Sequence, residues 1–401
     1  MTLGNSPSSP RWLTLAAGAL AASLAACDSD TPATPDAAAD APPADMTAPP
    51  DAGDVPQPPP DMTVPPDMTV PPDAPPPPDA TPDAPPPPDA TPDVAPDASM
   101  PTVTTRAIVS CGTACSRPLD AIPDSRGANV FFTAYAPDGQ PAVFRAAIPA
   151  PGMPPATPTV VAAGMGLEFP LGIALSNDDM TLYVADQTAD RGMRPGAGAV
   201  FSLPAAGGAP SVLNVGDAVI HPVSITVSFD GNDLYIGGQQ ELTDAMMEVT
   251  RQRAIFRVSR AGGAATVVTT DVVDPSGLSQ ANTGVVLCHD TRRGGGRSAS
   301  AVTIGPAGVA NFATGLVANY PAGLGFSMDG RFALFSGADP NAGPGMLTLA
   351  AGDGTTNASM ELSAGMVAPQ GLHRARMSDS WAVADERAND TGQIFLVTRT
   401  P

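Results

Sequence analysis

The sequence predicts an all-β fold: a six-bladed β-propeller of four-stranded antiparallel blades, preceded by a disordered Pro/Asp-rich linker. Two observations carry this prediction. Residues 101–401 repeat a unit of roughly 50 residues six times, and a spare strand precedes the first unit while the last unit lacks one. Repeats of this length, each forming one supersecondary unit, are typical of propellers and solenoids.

Each repeat begins with a proline, which most copies follow with a glycine and an aliphatic residue. The clearest copy is FPLGIALSNDDMTLYVAD, which starts at Phe169. The blade-start prolines are spaced 52, 52, 53, 46 and 48 residues apart, and they are Pro118, Pro170, Pro222, Pro275, Pro321 and Pro369. Six such starts predict six blades.

Four strands can be assigned within each repeat. In the clearest copy, GIAL begins the first strand, the polar turn SNDD leads to the second strand LYVAD, AVFSLP forms the third and PSVLNV the fourth. Short apolar segments separated by turns rich in Asp and Gly are typical of antiparallel hairpins. We therefore predict four-stranded antiparallel blades.

The two ends of the repeat region complement each other. The last repeat stops at its third strand, 393–397, while the extra strand Val103–Ser110 precedes the first repeat. We expect the extra strand to complete the sixth blade, because this pairing removes the exposed sheet edge that an open array would leave. Pairing of Ile108 and Val109 with the segment around Phe395 tests this expectation.

The Pro-x-Gly-Ile/Leu start and the LYVAD-like second strand resemble the six-bladed propellers of the SMP-30/gluconolactonase and NHL-repeat type, over about 300 residues. The lactonase resemblance implies a divalent ion on the channel axis, held partly by a carboxylate or Asn just after a blade-start proline. The matching positions hold no such residue: Leu119, Leu171, Val223, Ser276, Ala322 and Gln370. We therefore predict neither a metal nor any other cofactor.

Residues 1–26 are predicted to form a secretory signal. Arg11 precedes a short apolar segment, Leu13 to Leu24, which is too short to span a bilayer as a helix. The following Leu24-Ala25-Ala26-Cys27 resembles the lipobox of bacterial lipoproteins. That resemblance implies lipidation of the Cys27 thiol and membrane anchoring of the mature chain. A plain secretory signal with an incidental cysteine is the alternative.

Residues 27–100 are predicted to form a disordered tether behind the lipidated cysteine. The segment holds fifteen Asp, no basic residue and no aromatic residue, and it repeats the motifs DMTVPP and DAPPPPDATP. Such a composition offers little to bury, and frequent proline keeps a chain extended. We expect a stalk between a lipid surface and the propeller; a proline-rich ligand for an aromatic groove is the alternative.

Composition excludes several functions. The net charge is −21 and the chain contains no Lys, so it lacks the basic clusters that nucleic-acid binding requires. Ser-His-Asp order, a nucleotide-binding loop and metal-type cysteine spacing are also missing from the sequence. A quinone-dependent dehydrogenase is disfavoured because Trp381 is the only tryptophan after the signal segment.

A ligand site is predicted on the face that carries the connections between second and third strands and between successive blades. The unusual polar residues fall there, and the opposite turns are short. The second-to-third loops contribute charged residues such as Arg194 and Glu241. The predicted ligand-binding residues are Asp186, His221, Asp274, His289 and Asp385. The alternative is that these residues are merely solvated.

The remaining cysteines and His373 have local interpretations. Cys111 and Cys115 lie four residues apart after the closing strand, and outside the cytoplasm a local disulfide is expected; a C-x₃-C metal pair is the rival. Cys288 aligns with Ala185 in a second strand and should be a buried apolar residue. His373 occupies a channel-facing position and is read as a channel residue rather than a ligand.

Together these observations predict a lipid-anchored, monomeric protein of the bacterial cell envelope, facing the periplasm or the cell exterior. Its propeller is expected to be a non-enzymatic binding or scaffold module for an unknown small-molecule, glycan or protein ligand. The membrane contact would be made through lipidated Cys27. The rival interpretation is a lactonase-like or other hydrolase with a rearranged metal site on the loop-rich face, and a third is a spacer without a specific ligand.

Overall fold

The computed structural model describes residues 102–192, 194–243, 246–294, 299–316, 323–338, 345–351, 359–361 and 365–399. The predicted signal segment, Cys27 and the tether therefore lie outside the described residues. Within the described ranges the chain forms strands and one short 3₁₀ helix, Ala388–Asp390. In those ranges, no helix has the length and apolar character needed to cross a bilayer.

The strands form six sheets of four strands, arranged in chain order as the six predicted blades. Blade 1 comprises β2 (Ser116–Pro123), β3 (Asn129–Tyr135), β4 (Pro141–Ala147) and β5 (Thr159–Ala163); blade 2 comprises β6 (Pro170–Leu175), β7 (Thr181–Asp186), β8 (Ala199–Pro204) and β9 (Ser211–Val212); blade 3 comprises β10 (Ile220–Val227), β11 (Asp233–Thr243), β12 (Val249–Ser259) and β13 (Thr266–Thr269).

The second half of the ring repeats this order. Blade 4 comprises β14 (Pro275–Gln280), β15 (Val286–Asp290), β16 (Ala299–Gly305) and β17 (Gly308–Leu316); blade 5 comprises β18 (Leu324–Phe326), β19 (Phe332–Ala338), β20 (Gly345–Ala351) and β21 (Ser359–Glu361); blade 6 comprises β22 (Pro369–Arg374), β23 (Ser380–Asp385), β24 (Gln393–Arg399) and β1 (Val103–Ser110). The predicted six-bladed, antiparallel propeller is confirmed.

The two ends of the repeat region share blade 6, as the strand count predicted. Strand β1 pairs antiparallel with β24, with Ala107 opposite Phe395 and Val109 opposite Ile394. Ile108 lies at a register irregularity between these pairs, and both Ile108 and Val109 are fully buried. The closing strand thus contributes core residues as well as backbone hydrogen bonds.

The apolar core lies between neighbouring blades. Side chains of blades 6 and 1 form one cluster, in which Phe132 and Phe144 stack at 5.3 Å between ring centroids. Trp381 of blade 6 packs among residues of blade 5 and donates its indole N–H to the Gly325 carbonyl at 3.1 Å. Since each sheet buries its faces against its neighbours, blades depend on each other for stability.

The glycine of the Pro-x-Gly start allows first strands of successive blades to approach closely. A Cβ atom at Gly172 would lie 3.1 Å from the Cα of Ser224 in the next blade, closer than ordinary van der Waals contact. The repeated motif therefore reports packing around the central channel, as its resemblance to propeller blade starts implied.

Candidate functional site

A pocket opens on the loop-rich face between blades 2 and 3. Its volume is about 250 Å³, and two segments form most of its wall: the loop 187–198, which joins β7 to β8, and the long hairpin β11–β12. We call it the blade 2–3 pocket, and it is lined by Arg194, Pro195, Gly196, Ala197, Ile220, His221, Glu241 and Arg251.

The carboxylate of Asp186 fixes the start of the loop 187–198. It accepts backbone N–H groups from Glu168 and Phe169 before blade 2, and from Thr188 and Ala189 in the loop, at 2.8–3.2 Å. Burial raises the pKa of Asp186, while these N–H donors act in the opposite direction. A fully buried carboxylate that accepts four backbone donors is committed to holding the loop.

Arg191 holds the middle of this loop against the connection between β9 and β10. Its guanidinium donates to the carbonyl of Gly216 at 2.8 Å and to that of Val219 at 2.6 Å. Arg194 adds a hydrogen bond to the carbonyl of Asp217 at 3.0 Å. These bonds give the pocket wall a defined shape although it lies in a connecting loop.

His221 lines the pocket and has a strained backbone conformation. Its φ is 44°, in the left-handed region that non-glycine residues rarely adopt, and its backbone N–H donates to the Ala197 carbonyl at 2.7 Å. Its ring Nδ1 lies 3.1 Å from the Gln187 carbonyl oxygen. Burial lowers the pKa of His221, and the hydrogen bond to Gln187 partly opposes this effect.

An ion cluster forms part of the lining of the blade 2–3 pocket. Arg194 of the loop pairs with the carboxylate of Glu241 on β11, and Arg251 on β12 approaches the other carboxylate oxygen at 3.7 Å. All three side chains are partly exposed. Two guanidinium groups facing one carboxylate leave the pocket with an excess of positive charge.

The five residues predicted to bind a ligand are not brought together. His221 lines the pocket, but Asp186 and Asp385 are fully buried beneath their own loops. The carboxylate of Asp385 accepts N–H groups from Val367, Ala368, Arg387 and Ala388, as Asp186 does in blade 2. The structure thus gives both aspartates a loop-holding role.

Asp274 belongs to a separate charged cluster at the junction of blades 3 and 4. Its carboxylate accepts the Thr291 hydroxyl at 2.8 Å, and Arg253 and Arg292 lie 3.7 and 3.5 Å away. This cluster adjoins the pocket through β12, since Arg253 is two residues beyond Arg251. Asp274 is therefore on the predicted face, outside the pocket lining.

His289 is fully buried in blade 4, with its ring edge-on to Phe335 at 5.3 Å. Burial lowers its pKa to about 4, so the ring is neutral near pH 7. The blade-end carboxylate of this blade is instead Asp290, which accepts the N–H groups of Val273 and Asp274 at 2.9 and 2.7 Å. Aligning the repeats from the turn, where Gln280 pairs with Val286, identifies this aspartate.

Sequence reasoning also missed Arg251. Aligned with AVFSLP of the clearest repeat, the third strand of blade 3 would be AIFRVS, whereas β12 begins five residues earlier, at Val249. The signal was present in the segment TRQRA, where Arg251 and Arg253 alternate with neighbouring side chains at the period of a strand. Extending the strand through this segment would have placed both arginines on the rim.

The central channel contains a buried His–Asp pair that joins three blades. His373 Nε2 lies 2.9 Å from Asp120 Oδ2, and that oxygen also accepts the backbone N–H of Ile173 at 2.9 Å. Asp120 occupies the position of the blade-start glycine, so its carboxylate fills the space between blades 6 and 2. His373, interpreted as a channel residue, has an internal partner.

The structure joins Cys111 and Cys115 by a disulfide at the exit of the closing strand, and both are buried. Cys288 is a buried free cysteine. Among the described residues, no group of three or more His, Cys, Asp or Glu side chains converges as a metal site would require.

Comparisons with known proteins give structural neighbours only. No protein-family profile and no curated sequence matches the chain. A pyranose dehydrogenase PQQ domain from Coprinopsis cinerea is 11% identical with a TM-score of 0.50, and the match covers 76% of this chain and 99% of that one. A putative gluconolactonase is 14% identical with a TM-score of 0.49 and coverages of 74% and 92%.

TolB from Acinetobacter baumannii is 13% identical with a TM-score of 0.45; the match covers 60% of this chain and spans about half, 53%, of the TolB chain. At these identities the likeness concerns the fold alone. The chain is a six-bladed β-propeller with solved propellers of the gluconolactonase and TolB type among its structural neighbours.

Proposed function

We propose that this chain is a lipid-anchored binding protein of the bacterial cell envelope, which holds a ligand in the blade 2–3 pocket. The pocket is the observation that carries the proposal. It combines a shaped wall, a strained histidine and an ion cluster on the face that the loops build. Strain in a non-glycine backbone persists where the surroundings over-determine it, and such residues concentrate at functional sites.

The proposed anchor rests on the sequence Leu24-Ala25-Ala26-Cys27 and on the proline-rich segment that follows. Dual or triple acylation of a cysteine gives stable membrane attachment, whereas a single chain does not. The extended, acidic segment 28–100 would then separate the propeller from the lipid surface. In this arrangement the pocket faces the periplasm or the cell exterior, within reach of soluble ligands.

The anchor is tested by growing expressing cells with labelled palmitate. We expect the wild-type chain and the variant Cys288→Ala to carry label and to sediment with membranes. Cys27→Ala should lose the label and leave the membrane fraction. Equal labelling of Cys27→Ala and the wild type would overturn the anchoring proposal.

The binding proposal is tested by ligand-observed NMR with the purified full chain and a panel of small fragments. Ala197 lines the pocket, so Ala197→Phe should fill it and abolish the signals of specific binders. Ala261→Phe is the matched control, because Ala261 is exposed in the turn between β12 and β13. Binding that is equally strong in Ala197→Phe would place the site elsewhere.

Metal analysis of the same preparation separates the binding proposal from a hydrolase. A stoichiometric divalent ion, removed by a chelator together with fragment binding, would favour the hydrolase with a rearranged metal site. We expect fragment binding that a chelator leaves unchanged, because the lining holds only two side chains of metal-ligating type, Glu241 and His221, beside two arginines.

A further inference from the structure

The pocket is locally positive in a strongly acidic chain. Arg194 and Arg251 line it, and Glu241 is the only acidic residue of the lining. The whole chain has a net charge of −21. A pocket of this size with a net charge of about +1 attracts a small anion and repels a small cation.

A third arginine, Arg191, lies behind the pocket wall. Arg191 is held beneath the loop by the carbonyl groups of Gly216 and Val219, and its Nε is buried without a hydrogen-bond partner in the described residues. No carboxylate in the described ranges lies within ion-pair distance of its guanidinium. The carboxylates of Asp217 and Glu241 act on this guanidinium through space and partly compensate its charge, so the charge of about +1 from the lining side chains still describes the pocket.

Glu241 shows which group fits between the two lining arginines. Its carboxylate bridges them, one oxygen toward Arg194 and the other toward Arg251. Guanidinium groups prefer the planar, two-oxygen geometry of a carboxylate. These side chains are about one-third to one-half exposed, and ion pairs at such positions contribute little free energy, so an incoming anion competes with Glu241 at little cost.

We propose that the blade 2–3 pocket selects small ligands that carry a carboxylate, which Arg194 and Arg251 hold in place of Glu241. This inference rests on the proposed function and names its ligand class. A monoanion matches the local charge better than a dianion such as phosphate. The walls at Pro195 and Ile220 contact the uncharged part of the ligand, and His221 lies beside it.

Matched acid–amide pairs isolate the contribution of the carboxylate. Calorimetric titration of the full chain with butyrate, benzoate and glucuronate is compared with butyramide, benzamide and glucuronamide, and with inorganic phosphate. We expect at least one acid to bind about tenfold more tightly than its amide, since charge-assisted hydrogen bonds discriminate by this amount or more. Arg194→Gln and Arg251→Gln should each remove about tenfold of that affinity.

Arg257→Gln is the matched control. Arg257 lies on β12, as Arg251 does, but pairs with Asp233 at the far end of the blade, so its removal should leave carboxylate binding unchanged. Amides that bind as tightly as acids, or phosphate that outcompetes every acid, would overturn the carboxylate assignment and leave the binding function standing. Failure of every probe, together with failure of the fragment panel, would overturn both.

Glu241→Gln gives a test of opposite sign. Removing the internal carboxylate frees the two arginines, so carboxylate affinity should rise severalfold, about threefold to tenfold. A pocket built for cations would instead lose affinity when Glu241 is neutralised. Weaker acid binding by Glu241→Gln would therefore overturn the proposal even if Arg251→Gln behaves as expected.

Discussion

The junction between blades 2 and 3 and the junction between blades 6 and 1 are built from the same parts. Each has a buried aspartate at the end of the second strand, Asp186 or Asp385, and each has a glycine, Gly198 or Gly392, packed against the next blade-start proline. The residue before that proline has a left-handed φ in both cases, 44° at His221 and 54° at Arg117. Only the first junction contains the pocket described above.

Two inserted features account for the difference. Strand β3 ends at Tyr135, opposite Ser116, whereas β11 continues four residues past the equivalent pair of Ile220 and Gln239. The extension carries Glu241 over the rim, and the loop 187–198 closes the other side. The features that both junctions share therefore stabilise the ring, and the features inserted at the blade 2–3 junction form the pocket.

At the junction between blades 6 and 1, side chains of the protein also fill the space on the rim. Arg117 stacks over the ring of Tyr135, with 5.4 Å from the guanidinium carbon to the ring centroid, and donates to Glu386 at 2.7 Å. Its charge is satisfied within the protein. The comparison teaches that equivalent rim positions are structural where blades close the ring and are available for binding where strands extend.

The largest expected effect is on ring closure. Ile108→Asp places an unpaired carboxylate in the core between blades 6 and 1, and we expect it to lower the free energy of unfolding by about 4 kcal/mol or more. Thr104→Asp, on the exposed part of the same strand, should cost less than about 0.5 kcal/mol. Denaturant unfolding measures both; similar midpoints would mean that closure contributes little.

The paired aspartates come next. Asp385→Ala leaves several buried backbone N–H groups without acceptors and should cost about 3 kcal/mol, and Asp186→Ala should cost a similar amount. Only Asp186→Ala should also weaken fragment binding, because it loosens the loop that forms the pocket wall. If Asp385→Ala reduced fragment binding as strongly, the two junctions would not be functionally distinct.

The paired glycines give a smaller effect. A Cβ at Gly198 would lie 2.6 Å from the Pro222 ring, and one at Gly392 would clash with the Pro118 ring; both residues have positive φ. Gly198→Ala and Gly392→Ala should each cost about 2 kcal/mol. Thermal unfolding would show whether the costs match, and a cost below about 0.5 kcal/mol at either position would mean that the junction relaxes.

The propeller could be predicted from the sequence because its signals are periodic. The spacing of the blade-start prolines and the missing strand of the last repeat both depend on backbone geometry that every blade shares. The site could not be predicted to the same depth. His221 was identified as a site residue from its position on the rim. Asp186 and Asp385 were mistaken for ligand-binding aspartates, because only the backbone N–H groups around their carboxylates reveal the loop-holding role, and the sequence does not show those groups.

One misassignment concerns local register in blade 4, where His289 was taken for the blade-end residue and the structure has Asp290 there. In blade 4 the first pair after the turn is Gln280 with Val286, six residues apart, whereas in blade 2 it is Leu175 with Leu182, seven apart. Counted from that first pair, the blade-end position lies four residues further along the second strand in both blades, at Asp186 and at Asp290, and His289 is the core residue before it. A slip of one residue exchanges the two faces of a strand, so sequence alignment of repeats is least reliable at these positions.

The smallest expected effect concerns the pH dependence of binding. Burial lowers the pKa of His221, and the nearby charges of Arg251 and Arg253 lower it further while Glu241 opposes them, so the ring is neutral at pH 7. As the pH falls through this pKa, protonation adds positive charge beside the ligand. Carboxylate affinity should therefore rise up to about fivefold, until the ligand itself is protonated.

His221→Asn separates this effect from the arginines, because Asn tolerates the left-handed conformation of residue 221. Its affinity for acids should match the wild type at pH 8 and lose the increase on the acidic side, as measured by titration calorimetry at several pH values. Arg117, at the equivalent rim position, already has its charge paired with Glu386. An acid-side increase that persists in His221→Asn would assign the titrating group to another part of the pocket and remove the functional meaning of the strained histidine.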